Sequence, residues 1–217
     1  TTNPQRVWIY WPARQRDDVP LVLIAPTGTN PLAAAELSLD DRPEHLAYAK
    51  AGFAVVAYGL DGASGFGVES ARGALELALG NFERIDVERV FTAGRGSGGT
   101  VALVVAAHIP EIRAAVALEP ITHVEKSMTA EVESTDAETD GYRAALRRHD
   151  PAHLVDRLDR PLFLHASREA AEAHAAQRDF RLAIEARHPG RVTYIETGIS
   201  DSEEDRVDSG LSAAISW

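Results

Sequence analysis

The residues best placed to do chemistry lie in one stretch, Phe91-Thr92-Ala93-Gly94-Arg95-Gly96-Ser97-Gly98-Gly99-Thr100, between an apolar strand and an apolar helix. A strand-to-helix turn of the form G-x-S-x-G lifts a serine hydroxyl clear of a sheet, where it can attack a carbonyl. Counted from Gly94, the serine position of that pattern holds Gly96, which has no side chain to attack with. Ser97, one residue further on, is the fallback nucleophile. Its side chain is expected to point away from the reacting position and to cap the helix by accepting a backbone N–H.

The same residues carry a second reading. Gly94, Gly96 and Gly99 spell G-x-G-x-x-G between a strand and a helix, and Glu119 ends the next strand. In a dinucleotide site such glycines let the backbone approach a pyrophosphate, and the acid takes a ribose hydroxyl. Against this, the unit follows two or three earlier strands, whereas the motif usually belongs to the first. Arg95 stands beside the free N–H groups of a helix N-terminus, a combination that favours an anion. The plainer expectation for it is a surface arginine paired with a carboxylate.

No cysteine is present, so thiolate nucleophiles, zinc-thiolate sites and disulfides are excluded. The eight histidines form no H-E-x-x-H spacing, and no metal site is expected. His165 ends a strand, His45 lies within the segment Asp41 to Leu46, and His123 follows Glu119-Pro120 just beyond a strand, near the expected cleft. His123 or His165 could serve as a substitute base, but a base is of no use without a nucleophile, so structural roles are expected. Trp8, Trp11 and Trp217 are expected to pack at the chain ends.

A net charge of −11 argues against a nucleic-acid surface. No run approaches the length of a membrane span, and the opening Thr1-Thr2-Asn3-Pro4 does not read as a signal peptide. A cytoplasmic location is the expectation, and the absence of an initiator Met points to a processed chain or to a domain excised from a longer protein. Only Lys50 and Lys126 are lysines, which together with the many alanines suggests a GC-rich bacterial genome.

The elements that must position these residues alternate. Strands are predicted at 6–11, 20–25, 53–58, 90–93, 114–118, 161–165 and 192–196. Helices are predicted at 43–51, 69–82, 97–108, 142–149, 170–187 and 203–217. Pro43 suits a first helical turn and Gly52 a helix stop. The acidic run Asp201, Glu203, Glu204 and Asp205 complements the dipole of the last helix. Such alternation predicts one α/β domain over 1–217, with a mostly parallel sheet of about seven strands and helices on both faces. The strands at 53–58 and 90–93 are expected side by side. The segment 126–141, with five carboxylates against one lysine, reads as an acidic mobile loop at the cleft edge.

Three segments carry a resemblance: Val22 to Asn30, Asp41 to Leu46 and Ala51 to Tyr58, followed by the 91–100 turn. Together they resemble the α/β-hydrolase superfamily, in its dienelactone-hydrolase and prolyl-oligopeptidase-like branch. The resemblance implies a serine, acid and histidine triad at Gly96, Glu169 and Ser200, the last on Ile199 with one residue of slippage. It implies an oxyanion hole from the N–H of Ser97 and the loop at Thr27 and Gly28. Two of the three triad positions have lost their chemistry. The resemblance therefore implies a catalytically inactive hydrolase-fold domain serving as a binding, regulatory or scaffolding module. Its partner would be a protein, a small ligand or other domains of the same polypeptide, held around Arg95, His123 and Glu169, with no cofactor. The alternatives are an active serine esterase or peptidase using Ser97, and a dinucleotide-binding domain using Gly94, Gly96, Gly99 and Glu119.

Overall fold

A computed structural model describes residues 6–13, 17–28, 35–60, 66–128, 144, 146–198 and 202–217. The strands are β1 (Val7–Tyr10), β2 (Val19–Ile24), β3 (Ala54–Tyr58), β4 (Ile85–Arg95), β5 (Ile112–Leu118), β6 (Leu162–Ser167) and β7 (Val192–Thr197). They form one sheet in the order β1-β3-β2-β4-β5-β6-β7. The edge strand β1 is antiparallel to β3, and every other pairing is parallel. This is the mostly parallel seven-stranded α/β sheet that the alternation predicts.

One expectation fails. The strands at 54–58 and 85–95 are parallel members of one sheet, but β2 lies between them. The physical reason is a reversal of winding. The chain leaves β2 through α1 (Arg42–Ala51) to place β3 on one side, then crosses back through α2 (Val68–Asn81) to place β4 on the other. Parallel crossovers of this kind are right-handed as a rule, because strand twist imposes that sense. Winding in opposite directions, these two put α1 and α2 on opposite faces.

The two faces have separate cores. Beneath α1 and the last helix α6 (Glu203–Ser216), Tyr48, Leu211 and Ala214 pack on Val22, Val55, Ala93, Val116 and Phe163. On the other face α2, α3 (Ser97–His108) and α5 (Ala171–Arg187) bury Leu75, Leu103, Phe180 and Ile184 against Leu21, Val56, Val90 and Leu164. Alternation along each strand sends successive side chains to opposite faces, so Arg95, two residues beyond Ala93, belongs to the α1 face. Phe91 is half-buried, packed against the α1 face.

Local signals explain the helix ends. Pro43 sits in the first turn of α1, and Gly52 ends it with φ 108°, a conformation open to glycine. Ser202 caps α6 by accepting from the Asp205 N–H. The helix α3 is buried from Ser97 to Ala107, as befits a segment apolar on all sides. Of the tryptophans, Trp8 is half-buried, while Trp11 packs edge-on against Phe82 and Trp217 lies against Phe163, both partly exposed. Most of the predicted acidic loop at 126–141 lies outside the described residues. Its first three residues end a short helix, α4 (Val124–Met128). The helix predicted at 142–149 is seen at 144 and 146–149.

Candidate functional site

The chain passes from β4 to α3 through a single hinge residue. Gly96 takes φ 56° and ψ −124°, a backbone state that a residue with a Cβ reaches only under strain. The turn is tight because backbones crowd it. A Cβ on Gly94 would lie 2.3 Å from the Gly98 carbonyl oxygen, and one on Gly98 would lie 2.7 Å from that of Pro26. Close strand–helix packing is therefore sufficient reason for these glycines.

Hydrogen bonds tie the hinge on both sides. The Gly96 N–H donates to the Leu118 carbonyl at 2.8 Å, and the Ser97 N–H donates to the Gly28 carbonyl at 3.0 Å. Gly28 and Gly96 form a parallel bridge. These bonds bear on the expected oxyanion hole. The Ser97 N–H already has an acceptor, and a Cβ on Gly96 would meet that same Gly28 oxygen at 3.0 Å. Thr27 is half-buried and Gly28 exposed beside the hinge.

Ser97 does not cap the helix. The cap position is Gly96, and no side-chain capping bond is present. Because β4 runs on to Arg95 and only one residue intervenes, Ser97 is already the first helical residue. Its side chain is 2% exposed, and its Oγ lies 3.0 Å from where a Gly28 Cβ would stand.

The dinucleotide reading meets a steric objection. β5 does lie beside β4, and Glu119 follows it directly. The carbonyls of Ala25, Pro26 and Gly28 are packed against the first turn of α3. A pyrophosphate would need that space and those N–H groups, so the geometry argues against this assignment of Gly94, Gly96, Gly99 and Glu119.

The loop after β5 is held firmly. Glu119 has a positive φ of 51°, and its N–H donates to the His165 carbonyl at 2.8 Å. Gln177 Nε2 donates to the Pro120 carbonyl at 2.8 Å. Thr100 Oγ1 accepts from the Ile121 N–H at 2.8 Å and donates to the Ile121 carbonyl at 3.0 Å. Three elements of the sheet and its helices thus fix a strained residue at the carboxyl edge.

The remaining sequence-predicted residues are dispersed. Glu169 is exposed two residues beyond β6, its N–H donating to Ser167 Oγ at 3.2 Å. His123 is half-buried, its carbonyl accepting from the Ser127 hydroxyl at 2.9 Å. His165 is 1% exposed on β6 and packs against Gly210 of α6. His45 is buried between the rings of Trp8 and Tyr10, and burial lowers its pKa although Asp41 opposes this. Ser200 and Ile199 lie outside the described residues.

Two arrangements carried no sequence signal strong enough to single them out. In the first, Glu44 is buried beneath α1 with Oε1 lacking a hydrogen-bond partner among the described residues. Burial pushes its carboxyl up to about 7, Arg95 pulls it back and Asp41 raises it further. Arg95, half-buried, thus acts electrostatically on an interior carboxylate. In the second, Glu196 of β7 takes His174 Nε2 at 3.1 Å and Arg168 Nη2 at 2.9 Å. His174, the first-named cause, and Arg168 hold its carboxyl below the usual range. These residues come from separate segments, and only the crossover from β6 through α5 to β7 brings them together.

The acetyl xylan esterase family (AXE1) matches residues 71–155. No curated protein matches the sequence. Among solved structures, a thermophilic esterase from the Planctomycetes species Thermogutta terrifontis is similar with a TM-score of 0.74 at 14% identity, covering 97% of this chain and 87% of that one. Est1E from Butyrivibrio proteoclasticus gives 0.71 at 13% identity, covering 98% and 90%. A puromycin-hydrolyzing peptidase from Mycobacterium tuberculosis gives 0.70 at 17% identity, covering 96% of this chain and 36% of that one. Such identities speak for the fold, and the esterase and peptidase names describe those proteins. With its reversed winding about β2 and its glycine-hinged turn between β4 and α3, the chain has an α/β-hydrolase-like fold, similar to those esterases and to that peptidase.

Proposed function

We propose that this esterase-like hydrolase fold binds a ligand or protein partner at its carboxyl edge and does not hydrolyse it. The observation that carries the reading is the Gly28 carbonyl. It accepts from the Ser97 N–H at 3.0 Å and stands 3.0 Å from where a side chain on Gly96 would begin. Acyl transfer needs a nucleophile at that point, and N–H donors aimed at the developing oxyanion. Here the nucleophile position is a glycine, and the donor is already engaged by an oxygen that carries partial negative charge. Such an oxygen would repel the intermediate.

Ser97 does not restore the chemistry in this reading. Its hydroxyl is buried against Gly28, and a serine needs an adjacent base and an open approach for its substrate. The binding surface would be the carboxyl-edge loops, with Arg95 next to the hinge and His123, Glu169 and the clamped Glu119 on the loops that follow β5 and β6. The role that follows is regulatory or scaffolding, toward a protein or a small molecule.

The test uses the whole chain. A fluorophosphonate probe is expected to label no serine, and p-nitrophenyl acetate and acetylated xylan are expected to turn over no faster than in buffer. Labelling of a serine, or ester turnover that Ser97→Ala abolishes, would overturn the reading and establish an active serine hydrolase in its place.

A further inference from the structure

The last strand, β7, is an open edge of the sheet. It runs for six residues, Val192-Thr193-Tyr194-Ile195-Glu196-Thr197, rich in the β-branched and aromatic types that favour strands. It pairs with β6 without a register shift. The Leu162 N–H donates to the Arg191 carbonyl at 2.8 Å, and the Arg168 N–H to the Thr197 carbonyl at 3.4 Å. Residues alternate along a parallel ladder, so Arg191, Thr193, Ile195 and Thr197 turn their backbone groups to β6. Val192, Tyr194 and Glu196 turn theirs to the open side, where no described residue bonds them. Folded proteins blunt such edges with short strands, prolines, bulges or exposed charge. The opposite edge strand, β1, spans four residues, with Pro12 two residues beyond it. In β7 there is no proline or bulge, and its one charged side chain, Glu196, is taken by Arg168 and His174 at 2.9 and 3.1 Å.

Beside this edge α5 carries a basic stripe. His174, Arg178 and Arg181 follow one another at helical spacing, which puts them on one face. That face looks toward β7: His174 reaches Glu196, and the Arg181 guanidinium lies 5.2 Å from the centre of the Tyr194 ring. Arg178, between them, is exposed. The carboxylates within a turn or two have other partners or weak ones. Glu172 pairs with Lys126 at 3.5 Å, and Glu185 accepts from the Gly190 N–H at 2.9 Å. Asp179 lies 3.9 Å from Arg178, but both are exposed, and ion pairs of that kind hold little. A strand laid along β7 therefore meets Arg178 and Arg181 on its α5 side. On its α6 side it meets Thr193 and the half-buried Ile195, which packs into the core beneath that helix.

We propose that β7 takes an extended acidic peptide as an added strand, with carboxylates at alternate positions toward Arg178 and Arg181 and apolar side chains between them toward Thr193 and Ile195. Backbone hydrogen bonds to Val192, Tyr194 and Glu196 supply the affinity, and the alternate side chains supply the choice of partner. A second copy of this chain is a poorer occupant. Its β7 holds one carboxylate, already engaged, and it brings a second stripe of Arg178 and Arg181 to the seam, where like charges oppose. The edge lies three strands from β4, roughly 14 Å away. The proposal therefore does not rest on what the hinge at Gly96 does.

The test uses the intact protein and a blocked, fluorescein-labelled peptide of alternating glutamate and valine. Saturable binding, read by anisotropy, is expected at low ionic strength and is expected to weaken as salt rises. Amide hydrogen exchange of the wild-type chain is expected to slow at Val192, Tyr194 and Glu196 when the peptide is present, and to change little at Thr193 and Ile195, already bonded to β6. Arg178→Glu, at an exposed position, is expected to weaken binding by about tenfold or more. A peptide with lysine in place of glutamate is expected not to bind. Absence of saturation, equal binding of the lysine peptide, unchanged exchange at those amides, or a folded Arg178→Glu variant that binds as before would refute the proposal. Slowing of the same amides with protein concentration alone, together with a dimer in sedimentation, would assign the edge to a second copy and overturn it as well. The exchange measurement needs no variant, so the proposal can fail even if Arg178→Glu misfolds.

Discussion

Replacing Glu44 by glutamine is expected to change how stability depends on pH in a direction opposite to the usual behaviour of a carboxylate. Glu44 stands in the first turn of α1, where the helix dipole favours a negative charge. Burial outweighs that benefit and pushes the carboxyl up to about 7 from an ordinary 4.5, even with Arg95 pulling the other way. In that interval the folded protein holds a proton that the unfolded chain has released. Stability is therefore lost as pH rises through the window between 4.5 and about 7. A gap of this size corresponds to about 3 kcal/mol, as an order of magnitude, between the two ends of the window. The neutral amide introduced by Glu44→Gln does not titrate and carries no such cost. Urea unfolding followed by far-ultraviolet circular dichroism, at steps from about pH 5 to about pH 8 and fixed ionic strength, gives the stability of both proteins. The difference, variant minus wild type, is expected to climb by about 2–3 kcal/mol across the series. Its absolute sign at any one pH matters less, because the amide also changes local hydrogen bonding. A difference that stays flat would show that Glu44 is solvated or fully paired with Arg95, and the argument from burial would fail.

Gly96→Ser is expected to lower the melting temperature and leave esters untouched. The new side chain must adopt φ 56° with its Cβ 3.0 Å from the Gly28 oxygen, a strain of about 1–3 kcal/mol. Thermal unfolding and p-nitrophenyl acetate turnover check both halves, and activity well above buffer would show that the Gly28 carbonyl can yield. Thr100→Val removes both bonds to Ile121, at 2.8 and 3.0 Å, from a fully buried position. It is expected to cost about 1–3 kcal/mol in chemical denaturation, and an unchanged midpoint would mean that the loop carrying Glu119 is not held by this clamp.

What the sequence discloses and what it withholds divide along the range of the interactions involved. Apolar runs, Pro43, Gly52 and the glycine cluster are local signals, and they place the elements because strand alternation and helix ends are decided within a few residues. Which strand lies beside which is not local. The chain segments at 54–58 and 85–95 look like neighbours in sequence order, yet β2 separates them because the direction of winding reverses between two crossovers. The hinge shows the same limit at shorter range. A glycine at the serine position is plain to read, but the carbonyl that stands over it comes from Gly28, far back in the chain. Ser97 reads as a cap because one-residue and two-residue hinges have the same composition. Glu44 escapes notice since a charge within a helix ordinarily marks its wet face. Its spacing from Tyr48, one helical turn on and buried, is the available signal, because residues four apart share a face. An acid on the same stripe as a buried tyrosine must either find a partner or give up its charge, and here Arg95, the residue next to the hinge, is what partly compensates it. The charge of the residue that precedes the glycine hinge thus bears on an interior acid from far back in the chain, a coupling that no local sequence signal announces.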